Sequence, residues 1–450
     1  MNRTLADFAR ACGGELIGPD RAYAGVSSDT RTIKPGELFV ALRGPRFNAN
    51  EFVEAAAAAG AAGAVVDSRT DNALAQILVG DTLDALTRAA VTWREGFELP
   101  VIGVAGSNGK TTVKEMTASI LMRAGNTLAT RGSLNNHIGV PLTLHRLDSA
   151  HRFAVIEIGA NHPGEVAALV KLSRPTVGLI TNAGAEHLEG FGSIEGAARA
   201  EGEMVADLPP GATAVLNADD EFIGLWRGMT RARVVTFGVD QPADFSATDI
   251  HTTIVDGFVT RFTMRTPAGS SPIELHLAGR HNVTNALCAA AAAVTAGASL
   301  EDVRGGLATM RPVPGRLQFK TAPSGAWIVD DSYNANPSSM KAGIEVLANV
   351  DARRWLVMGD MGELGDSAPE SHEEIGRFAR NHRIDRLFAT GKLSALAVES
   401  FGSGAQWYAD TESLANAVNA ELSREVCVLI KGSRSSRLER VVDSLVGKTH

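Results

Sequence analysis

The chain has 450 residues, more than one hydrophobic core usually organises, so two or three domains are expected. Its 44% apolar and 21% charged residues exclude a disordered chain. A formal net charge of -8 argues against a broad nucleic-acid surface, so an anionic ligand must be met by local basic groups.

Cys12, Cys288 and Cys427 are far apart and odd in number, which gives neither a disulfide framework nor a metal pair and fits a reducing cytoplasm. No apolar signal-like run follows Arg3. Leu5, Phe8 and Ala9 instead have helical spacing and predict a first helix. The alanine-rich runs 55–64 and 286–298 are weakly hydrophobic and interrupted by Gly or Thr, so they predict closely packed buried helices and no membrane span.

Residues 1–83 read as a first α/β unit, with strands around 15–17 and 37–41 and a helix over 51–59. Ser28, Asp29 and Arg31 lie in a polar segment ahead of a strand that ends at Arg43. Two readings stay open for it, a surface loop beside an edge strand or a pocket for a polar or phosphorylated ligand.

Residues 84–312 are predicted to alternate strand and helix, the pattern of a mostly parallel sheet covered by helices. At its centre is VIGVAGSNGKTT, residues 101–112, an apolar run that enters Gly106, Ser107, Asn108, Gly109, Lys110, Thr111 and Thr112 and continues as a helical pattern. Glycines in such a loop let the backbone approach a phosphate chain, and N–H groups at the helix start donate to its oxygens. Lys110 would neutralise β- and γ-phosphates, and the Thr111 hydroxyl would hold Mg²⁺. The loop is a nucleoside triphosphate site of unusual form, since Val104 stands where the full pattern has its first glycine.

Runs 155–158 and 177–181 predict buried strands that lead directly into polar residues, and ligands of open α/β sheets sit beyond such strand ends. The first delivers Glu157, the second Glu186 and His187. Glu157 either completes a Mg²⁺ shell with Thr111 or is a hydrogen-bonded carboxylate of the interior. His187 by itself reads as a loop residue, imidazole being a poor ligand for Mg²⁺. Asn282 and Asn285 share one face of a helix start, where Asn282 is either an N-cap or a reader of an adenine edge.

The Pro and Gly of residues 312–315 mark a linker. Residues 313–450 then predict a Rossmann-like domain, with strands over 327–329, 355–358 and 426–430 and helices over 373–380, 393–399 and 414–422. Gly359, Gly362 and Gly365 lack dinucleotide spacing. Asp331 ends a strand and either reaches a nucleotide or starts a loop. Lys431 and Arg434 either greet an anionic substrate or form a solvated basic helix start. No G-x-S-x-G elbow or Cys/His cluster supplies a covalent nucleophile or a metal pair.

Together these residues resemble the Mur ligase family over nearly the whole chain. The resemblance rests on GSNGKTT, SLNNHIGVPLTL at 133–144, EIGANHPGE at 157–165, NAGAEHLEGFGS at 182–193, GRHNVTNALCAA, PGRLQ, DDSYNANPSSM, GDMGELG and KGSR. In that family Val104 is the expected residue. The resemblance implies three domains: 1–83 for a UDP-linked substrate, 84–312 for ATP, and 313–450 to bring an amino substrate and close over ATP. It assigns Lys110 and Thr111 to phosphate and Mg²⁺, Glu157 and His187 to the metal site, and Asn282, Asn285, Arg316 and Asp331 to the nucleotide. Ser28, Asp29 and Arg31 match the uridine diphosphate end, and Asn135 and Asn136 the sugar and phosphates. Tyr333, Asn336, Lys431 and Ser433 fall in the amino-substrate domain. His187 and Asn282 thereby gain roles that they lacked as isolated residues.

One departure stands out. Where many relatives carry a lysine that becomes carbamylated and bridges to a second Mg²⁺, this chain has Glu201. A carbamate is a carboxylate on a lysine stem, so Glu201 offers the same hard anionic oxygens from a shorter reach. The implied activity is the ATP-dependent addition of D-alanyl-D-alanine to UDP-N-acetylmuramoyl-tripeptide through an acyl phosphate, releasing ADP and phosphate, for cytoplasmic peptidoglycan precursor synthesis by a monomer. A relative that adds diaminopimelate or lysine would carry D-N-P-R, whereas Asp331 here leads into SYNANP.

Overall fold

The computed structural model describes residues 3–44, 47–185, 188–254 and 257–447. The strand Val101–Ala105 is buried along its whole length, as a strand with helices on both faces requires. It lies within a six-stranded parallel sheet of order Arg233–Phe237, Thr213–Asn217, Val177–Ile180, Val101–Ala105, Phe153–Glu157, Thr127–Ala129. Side chains alternate between its faces. Ile102 and Val104 pack on Met116, Ile120 and the alanines of the helix Arg280–Thr295, while Val101 and Ala105 face Val166, Leu169 and Met204. The register sets Glu157 opposite Val104 and Ile180 opposite Ala105, so three strands end together beside the glycine loop.

The expected alternation of strand and helix does not continue to 312. Ser246–Ile254, Phe258–Thr266 and Gly269–Leu275 form an antiparallel sheet of three strands. Phe258–Thr266 explains why: β-branched Val and Thr alternate with other residues over a partly exposed face, and Gly269 takes the turn with φ 126°.

The first unit has a mixed sheet of order Glu15–Ile17, Gln76–Leu78, Gly63–Val66, Leu38–Val40, Val26–Ser27, with only the first pair antiparallel. The strand expected to run to Arg43 stops at Val40, and Arg43–Gly44 pairs with Phe47–Asn48 in a separate hairpin. Helix Leu5–Cys12 starts on the Thr4 side-chain cap and ends at Gly13 in the left-handed conformation. Helix Thr82–Glu95 joins two cores, with Leu86 and Ala89 in the first and Trp93 in the central one.

The last sheet has the order Gln318–Thr321, Trp327–Asp331, Val426–Lys431, Arg353–Met358, Arg386–Thr390, Ala405–Tyr408, parallel except for its first pair. Helix Pro337–Ala348 begins with Pro in its first turn and a reciprocal capping box between Asn336 and Ser339. Among the described residues no helix is long and apolar enough to cross a membrane.

Candidate active site

Strand Val101–Ala105 delivers the chain to Gly106, whose φ of 122° suits glycine alone. A Cβ there would also lie 2.1 Å from the Thr181 hydroxyl. Gly109, with φ 82°, opens helix Lys110–Ala124 without a side-chain cap, and a Cβ on it would lie 2.5 Å from Asn285 Oδ1. Among the described residues no side chain caps that helix start, and first-turn N–H groups are the usual donors to a phosphate. Lys110 Nζ curls back over the loop, donating to the carbonyls of Gly106 at 2.5 Å and Ser107 at 3.0 Å.

Glu157 ends its strand almost fully buried. Its Oε1 accepts from Thr111 Oγ1 at 3.2 Å and Asn135 Nδ2 at 2.8 Å, while Oε2 is buried and makes no hydrogen bond among the described residues. A buried carboxylate oxygen without a donor is costly. A hydroxyl and a carboxylate converging beside the phosphate loop are the hard oxygens that Mg²⁺ takes, so these residues fit the metal.

The phosphate loop is braced by the segment after Val177–Ile180, a function that no local sequence pattern announces. Asn182 Oδ1 accepts the Asn108 N–H at 3.0 Å, and its Nδ2 donates to the Asn108 carbonyl at 3.1 Å. Thr181 Oγ1 donates to that carbonyl at 2.6 Å, and Gly184 N–H to Ser107 Oγ at 2.9 Å. Asn182 carries the signal that singled out Glu186 and His187, a polar side chain just beyond a buried strand. Glu201, buried on helix Ile194–Ala206, accepts the Gly106 N–H at 2.7 Å.

Two adjoining cavities meet at this loop. One, of about 350 Å³, is lined by Thr112, His281, Asn282, Asn285 and Met310 from the central unit and by Ser339, Gly343 and Lys431 from the last. The other, of about 290 Å³, is lined by Lys110, Thr111, Asn135, Asn136, Glu157 and Asn336, and both share Asn108, Arg316 and Asp331. Asn282 is not the N-cap, a position that Gly279 holds. Its side chain donates to the Ala278 carbonyl at 2.7 Å and accepts from Asn285 at 3.1 Å.

The apparent basic helix start at Lys431 is the end of the buried strand Val426–Lys431. Its Nζ donates to Asp331 Oδ2 at 2.6 Å and to the Asn334 carbonyl at 2.9 Å, so Lys431 is neither solvated nor free to greet an anion. Burial pushes the Asp331 carboxyl above its ordinary pKa, against the pull of Lys431 and Arg316. The Arg316 guanidinium lies 4.6 Å from the centre of the Tyr333 ring. Arg434 is exposed and pairs with Glu439 at 3.3 Å.

Other candidates stand apart. Ser28, Asp29 and Arg31 line neither cavity. Arg31 hydrogen-bonds Asp29 and holds its pKa at about 2. Asn136 lines the second cavity, with its Oδ1 occupied by the N–H groups of Ile138 and Gly139 at 3.1 and 2.9 Å. Ser433 is buried among Ser435 and Ser436, beside a third cavity of about 740 Å³ that Tyr333, Asn336 and Arg434 also line. Glu186 and His187 lie outside the described residues.

Residues 104–293 match the family model of the Mur ligase middle domain, and residues 315–434 that of the Mur ligase, glutamate ligase domain. The chain is 43% identical over 446 residues to the UDP-N-acetylmuramoyl-tripeptide--D-alanyl-D-alanine ligase of Escherichia coli (strain K12), covering 98% of each. A crystal structure of MurF from Acinetobacter baumannii superposes with a TM-score of 0.92 at 36% identity, covering 100% of this chain and 99% of that one. MurF ligase from Thermotoga maritima in complex with ADP gives a TM-score of 0.82 at 27% identity, covering 94% and 97%. With matching models over its middle and last units and close relatives along its whole length, this chain belongs to the Mur ligase family.

Proposed function

We infer that this chain adds D-alanyl-D-alanine to UDP-N-acetylmuramoyl-tripeptide in an ATP-dependent amide ligation of peptidoglycan precursor synthesis. The observation that carries the reading is the meeting of a glycine-led phosphate loop, a buried carboxylate with one oxygen that has no partner among the described residues, and a last domain that roofs both. The near full-length likeness to the E. coli ligase supplies the substrates.

In this reading ATP lies across both cavities, its base beside Asn282 and Asn285 and its phosphates on the N–H groups of residues 109–112. Lys110 leaves its two carbonyls for the phosphates. Thr111 and Glu157 would hold Mg²⁺, with His187 and Glu201 as the further ligands that family resemblance implies. Bound there, the metal would neutralise phosphate charge and align the transferred group. The tripeptide carboxylate takes the γ-phosphoryl group, the dipeptide amine attacks the acyl phosphate, and phosphate leaves. The chain supplies position and charge, and this route needs no nucleophile from the protein.

Residues 1–83 would hold the UDP end through Ser28, Asp29 and Arg31, residues 84–312 ATP, and residues 313–450 the dipeptide. Asn135 and Asn136 would approach the sugar and phosphates. The third cavity, beside Tyr333, Asn336 and Ser433, is the proposed place for the dipeptide, with Arg434 near its carboxylate and Lys431 orienting the floor through Asp331. The same reading takes the enzyme as a cytoplasmic monomer, which sedimentation and fractionation would check. The deciding assay is phosphate release from ATP and Mg²⁺ with UDP-N-acetylmuramoyl-tripeptide and D-alanyl-D-alanine, singly and together. Release that does not need both would reject the ligase reading.

A further inference from the structure

Asn108, Asn336 and Ser338 form a closed ring of side-chain hydrogen bonds between the phosphate loop and the last domain. Asn108 Nδ2 donates to Ser338 Oγ at 3.0 Å, Ser338 Oγ donates to Asn336 Oδ1 at 3.1 Å, and Asn336 Nδ2 donates back to Asn108 Oδ1 at 2.8 Å. Donors and acceptors run in one sense round the ring, so each bond polarises the next. Neither half moves freely. The Asn108 backbone is clamped by Asn182 and Thr181, and Asn336 is fixed as the cap of helix Pro337–Ala348, accepting the Ser339 N–H at 2.9 Å.

The placement has a purpose that neither half explains alone. A cap needs only one acceptor, which Ser, Thr or Asp supplies equally well. An asparagine adds a donor, and here that donor goes to the phosphate loop. The helix that it starts carries Ser339 and Gly343 onto the first cavity. Seating this helix end on Asn108 therefore fixes where the last domain's wall stands relative to the loop.

We propose that Asn336 and Ser338 are positioning residues that latch the last domain onto Asn108, so that the domain closes in register with the phosphate loop when nucleotide is bound. The proposal rests on the ligase reading for its purpose, but its test needs no turnover. Met122, on helix Lys110–Ala124, and Trp407, on strand Ala405–Tyr408, are exposed, and the native cysteines are buried. Cysteines replacing those two residues in the full chain would carry a donor and acceptor dye.

With ATP and Mg²⁺ as the probe, single-molecule energy transfer reads the ratio of closed to open molecules. Asn336→Ser keeps a capping oxygen but cannot span to Asn108, and should lower that ratio about five- to tenfold, the worth of one lost neutral hydrogen bond with its ring. Asn336→Asp should lower it less than about threefold, because the Asn108 amide can turn over and donate to the carboxylate while Ser338 donates to Asn108. Ser338→Ala, which leaves the cap intact, should lower it about threefold and carries the test if Asn336→Ser does not fold. Wild-type closure in both Asn336→Ser and Ser338→Ala, or equal losses in Asn336→Ser and Asn336→Asp, would overturn the latch. Normal closure behaviour in a chain that fails the phosphate-release assay would overturn the ligase reading alone.

Discussion

The carboxylate of Glu201 accepts the backbone N–H of Gly106 at 2.7 Å, tying helix Ile194–Ala206 to the first residue of the phosphate loop. Glu201, which the family resemblance sets where relatives carry a modifiable lysine, is thus part of the loop's own support. Two tasks follow, an acceptor for Gly106 and an anionic charge beside the site, and they separate by substitution. Glu201→Gln keeps the acceptor and removes the charge. Its melting temperature should stay within about 3 °C of wild type, while kcat falls roughly 10- to 100-fold, the usual range for removing a group that supports a metal site. Glu201→Lys should recover activity on addition of bicarbonate, whereas wild type should be indifferent to it. A wild-type rate that climbs with bicarbonate would end the idea that Glu201 replaces a carbamate.

Glu157 is a site where stability and function oppose each other. Its buried Oε2 has no hydrogen-bond partner among the described residues, and a charge there without metal is costly. Glu157→Gln removes the charge while keeping an oxygen for Thr111 and Asn135. In metal-free buffer the variant should melt at or above the wild-type temperature, with a gain of up to about 1 kcal/mol. Adding Mg²⁺ and ATP should raise the wild-type melting temperature by several degrees and leave the variant nearly unmoved. Equal stabilisation of the two proteins would remove Glu157 from the metal site.

The sequence made the strand, loop and helix of residues 101–124 readable because their signals are local: an apolar run, glycines, then helical spacing. Glu157 was readable because strand ends point to ligands in this architecture. The brace by Asn182 is not local, since it exists only once Val177–Ile180 is laid beside Val101–Ala105 in register. Asn336 and Asn108 are 228 residues apart, and nothing between them announces the pairing. The strands Val26–Ser27 and Gln76–Leu78 escaped for another reason: they are too short for a period-two pattern to emerge. The pairing of Lys431 is hidden in the sequence because the basic run after it resembles a helix start, while its partner Asp331 lies on a neighbouring strand.

His145 should make the packing of the central unit against the first helix sensitive to acid. It is buried and stacked on Phe8 at 5.6 Å, and burial pushes its pKa from 6.5 down to about 4. The folded state therefore binds this proton less readily than the unfolded state. The associated stability is complete above about pH 6.5 and is lost as the pH falls toward 4, by at most about 3 kcal/mol. His372 acts in the same direction for the last domain, because burial pushes its pKa down, and its Nε2 accepts the Met361 N–H at 2.9 Å only while unprotonated. Urea melts from pH 7 to pH 4.5 should show falling midpoints, and His145→Phe, which keeps the ring contact with Phe8, should flatten the slope. An unchanged slope in that variant would place the acid sensitivity elsewhere.

The ion pair of Lys431 and Asp331 should behave as a structural unit of the last domain as well as a wall of the site. Both groups are buried, and Asp331 Oδ1 also accepts the Leu317 N–H at 3.1 Å, which ties the pair to the segment after the linker. Removing one partner strands the other charge in the interior. Lys431→Met should therefore cost about 3 to 5 kcal/mol in urea unfolding. Asp331→Asn combined with Lys431→Met leaves no isolated charge and should regain more than half of that loss, while neither protein regains ligase activity because both residues line the two cavities. Full additivity of the two substitutions would show that the groups do not depend on each other, and the carboxylate would then have to be explained by the nucleotide alone.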